Sequence, residues 1–319
     1  MTAVCRSRYL AIVLCAFIMA PAAAQQVFDT DILVDTFGFD EHTKKTVPLH
    51  LLRQGCSARD CIPSIDSPKF VAANDADHLA DNDIVIALTW KGERRAYPTK
   101  IIDHHEIVND VIAGTPIAIT WCPLCGSAVG VLRDVEGQIT EFGVSGMLYN
   151  SDLVTYDRTT GTLWDQIGAI GIVGPLTGVK LDLVPVTMTR WSVWRDAHPD
   201  TMVLSTDTGF AEDYSRDRYA KYRESERIFM PLSATSNALH PKTVVYGFTL
   251  HDGTLAVTET LLEENRSVDY EVDGRVVTMS LSDDGSVRLT DQEAGDTISP
   301  VRLFWFAWYT FHPDTDLVK

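Results

Sequence analysis

The sequence has few basic residues and, beyond its first twenty or so positions, no long apolar run. Its 319 residues include 27 lysines and arginines against 44 aspartates and glutamates, a net charge of −17. Phosphate binding requires clustered Lys and Arg, so nucleic acid is not expected as a partner. The sequence also lacks a phosphate-binding P-loop and a dinucleotide-binding glycine motif, so no nucleotide cofactor is expected.

The N-terminal segment has the features of an export signal. Two arginines precede an apolar run over residues 9–20, which is too short to span a bilayer, and small residues follow at 22–24. We therefore predict a signal peptide over residues 1–24 and a periplasmic or secreted protein with no membrane span in the mature chain. That mature chain would keep 25 basic against 44 acidic residues, a net charge of −19.

Four of the six cysteines would remain after export, in two close pairs. Cys56 and Cys61 lie in a polar loop, where an oxidising compartment favours a local disulfide over a share in a metal site. Cys122 and Cys125 lie in a Cys-Pro-Leu-Cys-Gly motif. Thiols this close are expected to be bonded to each other, bonded to a metal, or kept reduced.

Hydrophobic patterns predict antiparallel β-structure around these thiols. Residues 84–90 are typical of a buried strand that returns over 94–97. A second hairpin is predicted from residues 106–112 and 116–121, with its turn centred on Gly114. Glu106 would then lie opposite Cys122, with His105 beside the thiols.

Two internal similarities indicate a degenerate duplication. Residues 85–120 resemble 245–280 in pattern, whereas 191–201 and 305–315 share the letters W-x-x-W-x-x-x-H-P-D-T. Each of these motifs predicts a Trp-rich helix, and Ser299-Pro300 predicts the start of the second one. The fold expected is α+β, predominantly antiparallel β, with a β-hairpin unit and a Trp-rich helix in each half.

The two similarities have different offsets, 160 and 114 residues, so the first half carries 46 more residues than the second. We predict a first half at 25–240 with a site-bearing insertion at about 122–180. A degenerate second half at 241–319 would pack into the same globular domain. Because the second half lacks the thiols and the His pair, any chemistry is expected in the first.

Several short motifs together resemble a known family. They include Ala96-Tyr97-Pro98, His105 to Asp110, Trp121 to Ser127, Phe142 to Gly146 with Leu148-Tyr149-Asn150, and the segment from Trp305 to Thr315. The chain resembles the family catalogued as domain of unknown function 3179, over its full length after the signal. The resemblance implies no settled activity. Cys56 and Cys61 do not belong to that family's pattern, which favours a local disulfide for them.

The thiol motif has the form of a metal-binding knuckle. A Cys-Pro-x-Cys-Gly turn between strands points backbone N–H groups at the thiolates, with Gly in the left-handed position. Cys122, Cys125 and His105 as three ligands would leave an open position on zinc, or would suit copper. We therefore predict a metal-dependent enzyme, with redox chemistry favoured and Glu106 as a supporting or acid/base group.

Three alternatives stay open. The protein could handle a metal or bind a ligand without turnover. The thiols could perform disulfide exchange, although the predicted strand after Cys125 differs from the helix that activates such a thiol in thioredoxins. The pair could also be a purely structural disulfide.

A glycine-rich stretch at 143–178 predicts a pocket for an unknown small molecule or, equally, a series of tight turns. Tyr149 and Asn150 are its candidate substrate contacts. Asp152 and Asp157, in a polar stretch nearby, could also contact a substrate, but they are interpreted as solvated loop charges.

Overall fold

The computed structural model describes residues 32–251, 253–272 and 274–319. The predicted signal peptide therefore lies outside the described residues. Strands hold 40% of the chain and helices 14%, and almost all strand pairs are antiparallel, so the fold is α+β and predominantly β. No helix of the described part is long and apolar enough to cross a membrane.

The strands fall into two series. The first is β1 Leu52–Gln54, β2 Phe70–Ala72, β3 Ile84–Trp90, β4 Glu93–Pro98, β5 Ile107–Ile112, β6 Thr115–Cys122, β7 Ser127–Leu132, β8 Asp134–Val135, β9 Gln138–Ile139, β10 Phe142–Tyr149, β11 Asp152–Asp157, β12 Leu163–Asp165, β13 Ile170–Val173, β14 Leu183–Val184, β15 Thr187–Arg190 and β16 Met202–Leu204. The second is β17 Val244–Thr249, β18 Thr254–Thr258, β19 Ser267–Val272, β20 Arg275–Leu281, β21 Val287–Asp291, β22 Thr297–Ile298, β23 Val301–Phe304 and β24 Asp316–Val318.

The α-helices are short: α1 Thr99–Ile102, α2 Trp191–Ala197, α3 Ala220–Arg223, α4 Glu259–Asn265 and α5 Trp305–Phe311. One π-helical turn, Ile32–Thr36, and two 3₁₀ turns, Leu49–Leu51 and Ala73–Asp75, precede them. The predicted start of the last helix at Ser299-Pro300 is wrong, because β-branched Val301 opens strand β23 there and α5 begins only at Trp305.

Two sheets at opposite ends of the chain have the same strand connections. The order is β15-β3-β4-β16-β2 in one and β23-β17-β18-β24 in the other. In each, the strand that follows a Trp-rich helix, β16 or β24, pairs in parallel with the second strand of the opening hairpin. Two further sheets, β14-β7-β6-β5 and β19-β20-β21-β22, also correspond strand for strand.

The Trp-rich helices agree in side-chain detail. Trp194 Nε1 donates to Thr201 Oγ1 at 3.0 Å, and Trp308 Nε1 donates to Thr315 Oγ1 at 2.9 Å. Each helix ends at the His before Pro, and the ring of that His lies about 4 Å from the Trp ring, with centroids 4.1 and 4.0 Å apart. The shared letters of the two motifs thus make one local structure twice.

The additional residues of the first series lie between β7 and β14, where β8 to β13 occur. The described residues between β21 and β22 contain no strand. The turn from β6 to β7, which carries the thiols, has four residues, and its counterpart between β20 and β21 has five. Cys122 thus lies shortly before the part of the chain that holds β8 to β13.

Strand pairing in the thiol hairpin differs by one residue from the prediction. Ile107 pairs with Thr120, because Ala113 and Gly114 together form the turn, both with positive φ. Two-residue turns with positive φ at both positions match the twist of paired strands. The predicted turn centre on Gly114 alone was wrong, and such a shift exchanges the faces on which side chains lie.

Candidate metal centre

Cys122 and Cys125 lie at the tip of the β6–β7 hairpin. Cys122 pairs with Ser127 across the hairpin, so Cys125 falls in the turn between them. Gly126 has φ +63°, and a Cβ there would come within 3.0 Å of the Phe304 ring. The glycine is required for both reasons, and the turn has the expected knuckle form.

The β10–β11 hairpin brings a carboxylate to the thiols. Asn150 and Ser151 both have left-handed backbone, with φ +53° and +65°, and form a two-residue turn. The Ser151 carbonyl accepts hydrogen bonds from the Cys125 thiol at 3.4 Å and, more weakly, from the Cys122 thiol at 3.9 Å. Asp152 follows immediately and is fully buried.

Together Cys122, Cys125 and Asp152 form a buried cluster of potential metal ligands. One ligand atom from each lies within 4.8 Å of the others. Their exposed fractions are 1%, 0% and 0%. This is the distance range in which a single ion could contact all three after small side-chain rotations, given bond lengths of about 2.0–2.3 Å.

The two thiols have unequal acidity. Burial alone would raise the pKa of Cys122, but hydrogen bonds from Cys125 and from the backbone N–H groups of Leu124, Cys125 and Leu153 lower it below the ordinary value. Burial and the neighbouring Cys122 raise the pKa of Cys125 well above the ordinary value. Backbone N–H groups aimed at a sulfur favour its thiolate form, which is the form that binds metals.

Further acids surround the cluster. One Asp152 oxygen accepts from the Ile167 N–H at 3.1 Å, and the other has no hydrogen-bond partner within the described residues. Burial, followed by the charges of Cys122 and Asp165, raises the pKa of Asp152 well above its ordinary value. Burial also raises the pKa of Asp165 to about 6 and that of Glu106 well above the ordinary range. Asp152, which the sequence analysis interpreted as a solvated charge, is fully buried.

His105 does not join the thiols. Helix α1 ends just before it, and the next residue, Glu106, has left-handed backbone with φ +58°, so β5 begins only at Ile107. Its Nδ1 bonds the Pro63 carbonyl at 2.8 Å, and its Nε2 bonds the Tyr214 hydroxyl at 2.7 Å. Both ring nitrogens are thus engaged, and the cluster of close potential ligands in the described residues contains Asp152 and not His105.

Glu106 lies near the cluster, as expected, although through the turn and not through strand pairing. Its residue is 8% exposed, and the charge of Cys122 contributes to its raised pKa after burial. The predicted strand pairing does not explain its position, because the residue across from Glu106 is Trp121 and not Cys122: the Trp121 N–H donates to the Glu106 carbonyl.

Tyr149 and Asn150 both contact distant segments of the chain. The Asn150 side-chain oxygen accepts from both the N–H and the hydroxyl of Ser233, each at 2.8 Å. The Tyr149 ring packs edge-on against Phe311, with centroids 5.7 Å apart. They hold the β10–β11 turn, and with it Asp152, against neighbouring segments.

A largely irregular stretch, residues 205–243, covers the thiol turn; we call it the cover segment. Its Tyr222 hydroxyl donates to the Leu124 carbonyl at 3.0 Å, and its Met230 N–H donates to the Ser151 hydroxyl at 2.9 Å. Near its end Lys242 lies 3.5 Å from the centre of the Tyr222 ring, and burial lowers the lysine pKa to about 8.

Cys56 and Cys61 lie at disulfide-bonding distance, with Cα atoms 6.4 Å apart. Their loop packs on β10, where the Asp60 N–H donates to the Val144 carbonyl at 2.8 Å. The Tyr156 hydroxyl also donates a hydrogen bond to the Asp60 carboxylate at 2.5 Å. The loop thus closes the outer side of the hairpin that carries Asp152.

Comparison with known proteins gives a family but no activity. No curated protein and no solved structure matches the chain. A family model described as "Protein of unknown function (DUF3179)" matches residues 59–302, a range that contains the thiol turn, Asp152 and most of the second strand series. The chain therefore belongs to the DUF3179 family.

Proposed function

We propose that Cys122, Cys125 and Asp152 bind a transition-metal ion. The observation that carries the proposal is the approach of three ligand atoms to within 4.8 Å at a fully buried position. Buried charges are normally paired or coordinate a metal. Within the described residues no salt bridge neutralises Asp152, Asp165 or Glu106, and a bound cation would do so.

The donor set favours zinc, with copper as the alternative metal. Two thiolates and one carboxylate are ligands that Zn²⁺ accepts in tetrahedral geometry, whereas Cu(I) prefers sulfur without a carboxylate. Three protein ligands leave the fourth position to water or substrate, as in catalytic zinc sites. We therefore propose a metal-dependent enzyme. If its reaction is a redox reaction, the metal is copper, because zinc does not change oxidation state. The alternative is a protein that carries the metal without catalysing a reaction.

Metal analysis tests the site directly. Protein purified from the periplasm is analysed for metal by mass spectrometry, and its free thiols are counted. We expect about one equivalent in the wild type and in His105→Ala, and loss in Cys122→Ser and Asp152→Asn. Absence of metal from the wild type, with neither thiol free, would leave a structural disulfide instead.

Thiol exchange is the second candidate because the two sulfurs are adjacent and unequally acidic. An attacking thiol must also be accessible. Cys122 and Cys125 are 1% and 0% exposed, which opposes exchange with another protein. Reduction of a model disulfide substrate by the wild type, lost in Cys122→Ser, would favour this candidate over the metal.

We also propose export and internal duplication. The signal features of residues 1–24 support export, and sequencing the N-terminus of the mature protein, expected at Gln25, tests it. The matching connections of the two strand series support duplication. Duplication with later insertion of β8 to β13 predicts that those strands are missing from the second half of other family members.

A further inference from the structure

A small cavity of about 100 Å³ lies beside the thiol turn. Its wall is mostly apolar and includes Leu124, Met147 and Leu153. Leu124 stands between the two cysteines, and Leu153 follows Asp152. The cavity therefore borders two of the backbone segments that hold the candidate ligands.

Two polar side chains, Glu106 and Tyr219, share the wall of this cavity. Within the described residues neither the Glu106 carboxyl nor the Tyr219 hydroxyl has a hydrogen bond or an ion pair. The charge of Cys122 acts on both groups, and the charge of Glu106 acts on Tyr219, so the two groups lie near each other and near the thiols. Polar groups that line an apolar cavity without a partner in the protein are available to a bound molecule.

The backbone at Glu106 adds a second observation. This residue has φ +58°, which is unfavourable for a residue with a Cβ, and it is 8% exposed. Left-handed backbone at non-Gly residues is strained and clusters at functional sites. Here it turns the Glu106 carboxyl into the cavity wall, away from any partner in the described chain.

We propose that this cavity binds a small neutral molecule that carries one hydrogen-bonding oxygen, such as a short alcohol, aldehyde or ketone. An apolar wall with a few polar groups is the usual composition of a small-ligand site. A cavity of about 150 Å³ accommodates benzene, so 100 Å³ suits a molecule of about four or five heavy atoms. The described wall contains no Lys or Arg to pair with an anion.

The identity of this molecule as a substrate rests on the proposed metal centre, but its binding does not. The wall residues Leu124 and Leu153 are the immediate chain neighbours of Cys125 and Asp152. A molecule held there would thus lie beside the backbone segments that carry Cys122, Cys125 and Asp152, within reach of the Glu106 carboxyl.

The test uses 1-propanol, with four heavy atoms, and 1-propylammonium, which has the same size and a positive charge. Full-length mature protein with ¹³C-methyl methionine is titrated with each, and the Met147 methyl signal, assigned from its loss in Met147→Leu, is followed by NMR. We expect a saturable shift with 1-propanol and binding of propylammonium about tenfold weaker, the effect of roughly 1.4 kcal/mol.

Variants locate the binding. Val144→Ile narrows the cavity and Glu106→Met removes its carboxyl, and both should weaken 1-propanol binding about tenfold. Glu106→Gln keeps hydrogen-bonding capacity and should restore most of it, and Val203→Ile, a fully buried valine outside the wall, should have no effect. No saturable Met147 shift, or tighter binding of propylammonium, would overturn the proposal.

Metal content measured on the same samples keeps the two proposals apart. Loss of the Met147 response with metal retained would refute the cavity alone. A normal Met147 response in protein that binds no metal would refute the metal centre alone. Titration of both metal-loaded and metal-free protein makes each result readable whatever the other shows.

Discussion

Replacement of Asp152 by Asn separates metal binding from folding, because the two respond in opposite directions. Asn is nearly the same size, keeps an oxygen to accept the Ile167 N–H, and removes the charge. Structural zinc binding amounts to about 10–16 kcal/mol, so one ligand of four contributes about 3 kcal/mol. We therefore expect Asp152→Asn to weaken zinc affinity about 100-fold or more.

The metal-free protein should not lose stability. The folded-state pKa of Asp152 is raised, chiefly by burial, so this group favours folding at low pH and loses that contribution as the pH rises through its folded pKa. At pH 7 the carboxyl must either bury its charge or take up a proton on folding, and Asn avoids both costs. Metal-free Asp152→Asn should therefore unfold at an equal or higher denaturant concentration than the metal-free wild type.

Affinity is measured by competition with a chromophoric zinc chelator, and stability by chemical denaturation after metal removal. Asp103→Asn is the matched control, since Asp103 is also a buried Asp with a raised pKa but lies outside the ligand cluster. Zinc affinity within about twofold of wild type in Asp152→Asn would refute Asp152 as a ligand. An equal loss in Asp103→Asn would show a general charge effect.

Three further variants follow from the same structure. His105→Ala should lower the free energy of unfolding by about 2–3 kcal/mol, since it removes two buried hydrogen bonds, to the Pro63 carbonyl and the Tyr214 hydroxyl. The variant should keep its metal, and metal loss would return His105 to the ligand set. Asp103, whose pKa burial raises from 3.8 to about 6, favours folding below about pH 4 and loses this as the pH rises to 6. Asp103→Asn should thus be up to about 3 kcal/mol more stable at pH 7 and little changed at pH 4, which denaturation at both pH values checks. Gly126→Ala should cost about 1–3 kcal/mol, because φ is +63° and the new Cβ meets Phe304; an unchanged stability would contradict the left-handed turn.

Local pattern was sufficient for the strands that position the thiols. The apolar run at residues 84–90 is β3, with the predicted bounds, and the run after Gly126 is strand β7, not a thioredoxin-like helix. Both are short, largely apolar runs with β-branched residues, a signal that acts over a few neighbours.

The composition of the site could not be predicted in the same way, because it depends on one-residue details and on contacts between distant segments. The second hairpin turns at Ala113-Gly114 rather than Gly114 alone, and Glu106 adopts left-handed backbone that no general propensity favours. As a result, His105 forms hydrogen bonds with the Pro63 carbonyl and the Tyr214 hydroxyl and does not contact the thiols.

Asp152 was missed because polar residues near a turn are usually solvated. Its hairpin has no glycine at the turn, only Asn150-Ser151, so the usual signal for a two-residue turn was weak. Burial of that turn comes from the cover segment, about 80 residues later, through Met230 and Ser233. Alternating apolar residues on both sides of Asn150-Ser151 were the one available signal.

X-ray absorption at the metal edge of the purified, metal-loaded protein tests the central claim most directly. The proposed centre predicts two sulfur ligands at about 2.3 Å and the remaining ligands oxygen at about 2.0–2.2 Å, without the scattering pattern of imidazole. Asp152→Asn, loaded with excess metal to offset its weaker affinity, should keep both sulfurs and lose or change an oxygen. A metal with no sulfur ligand, or one bound through histidine, would contradict a centre made by Cys122, Cys125 and Asp152.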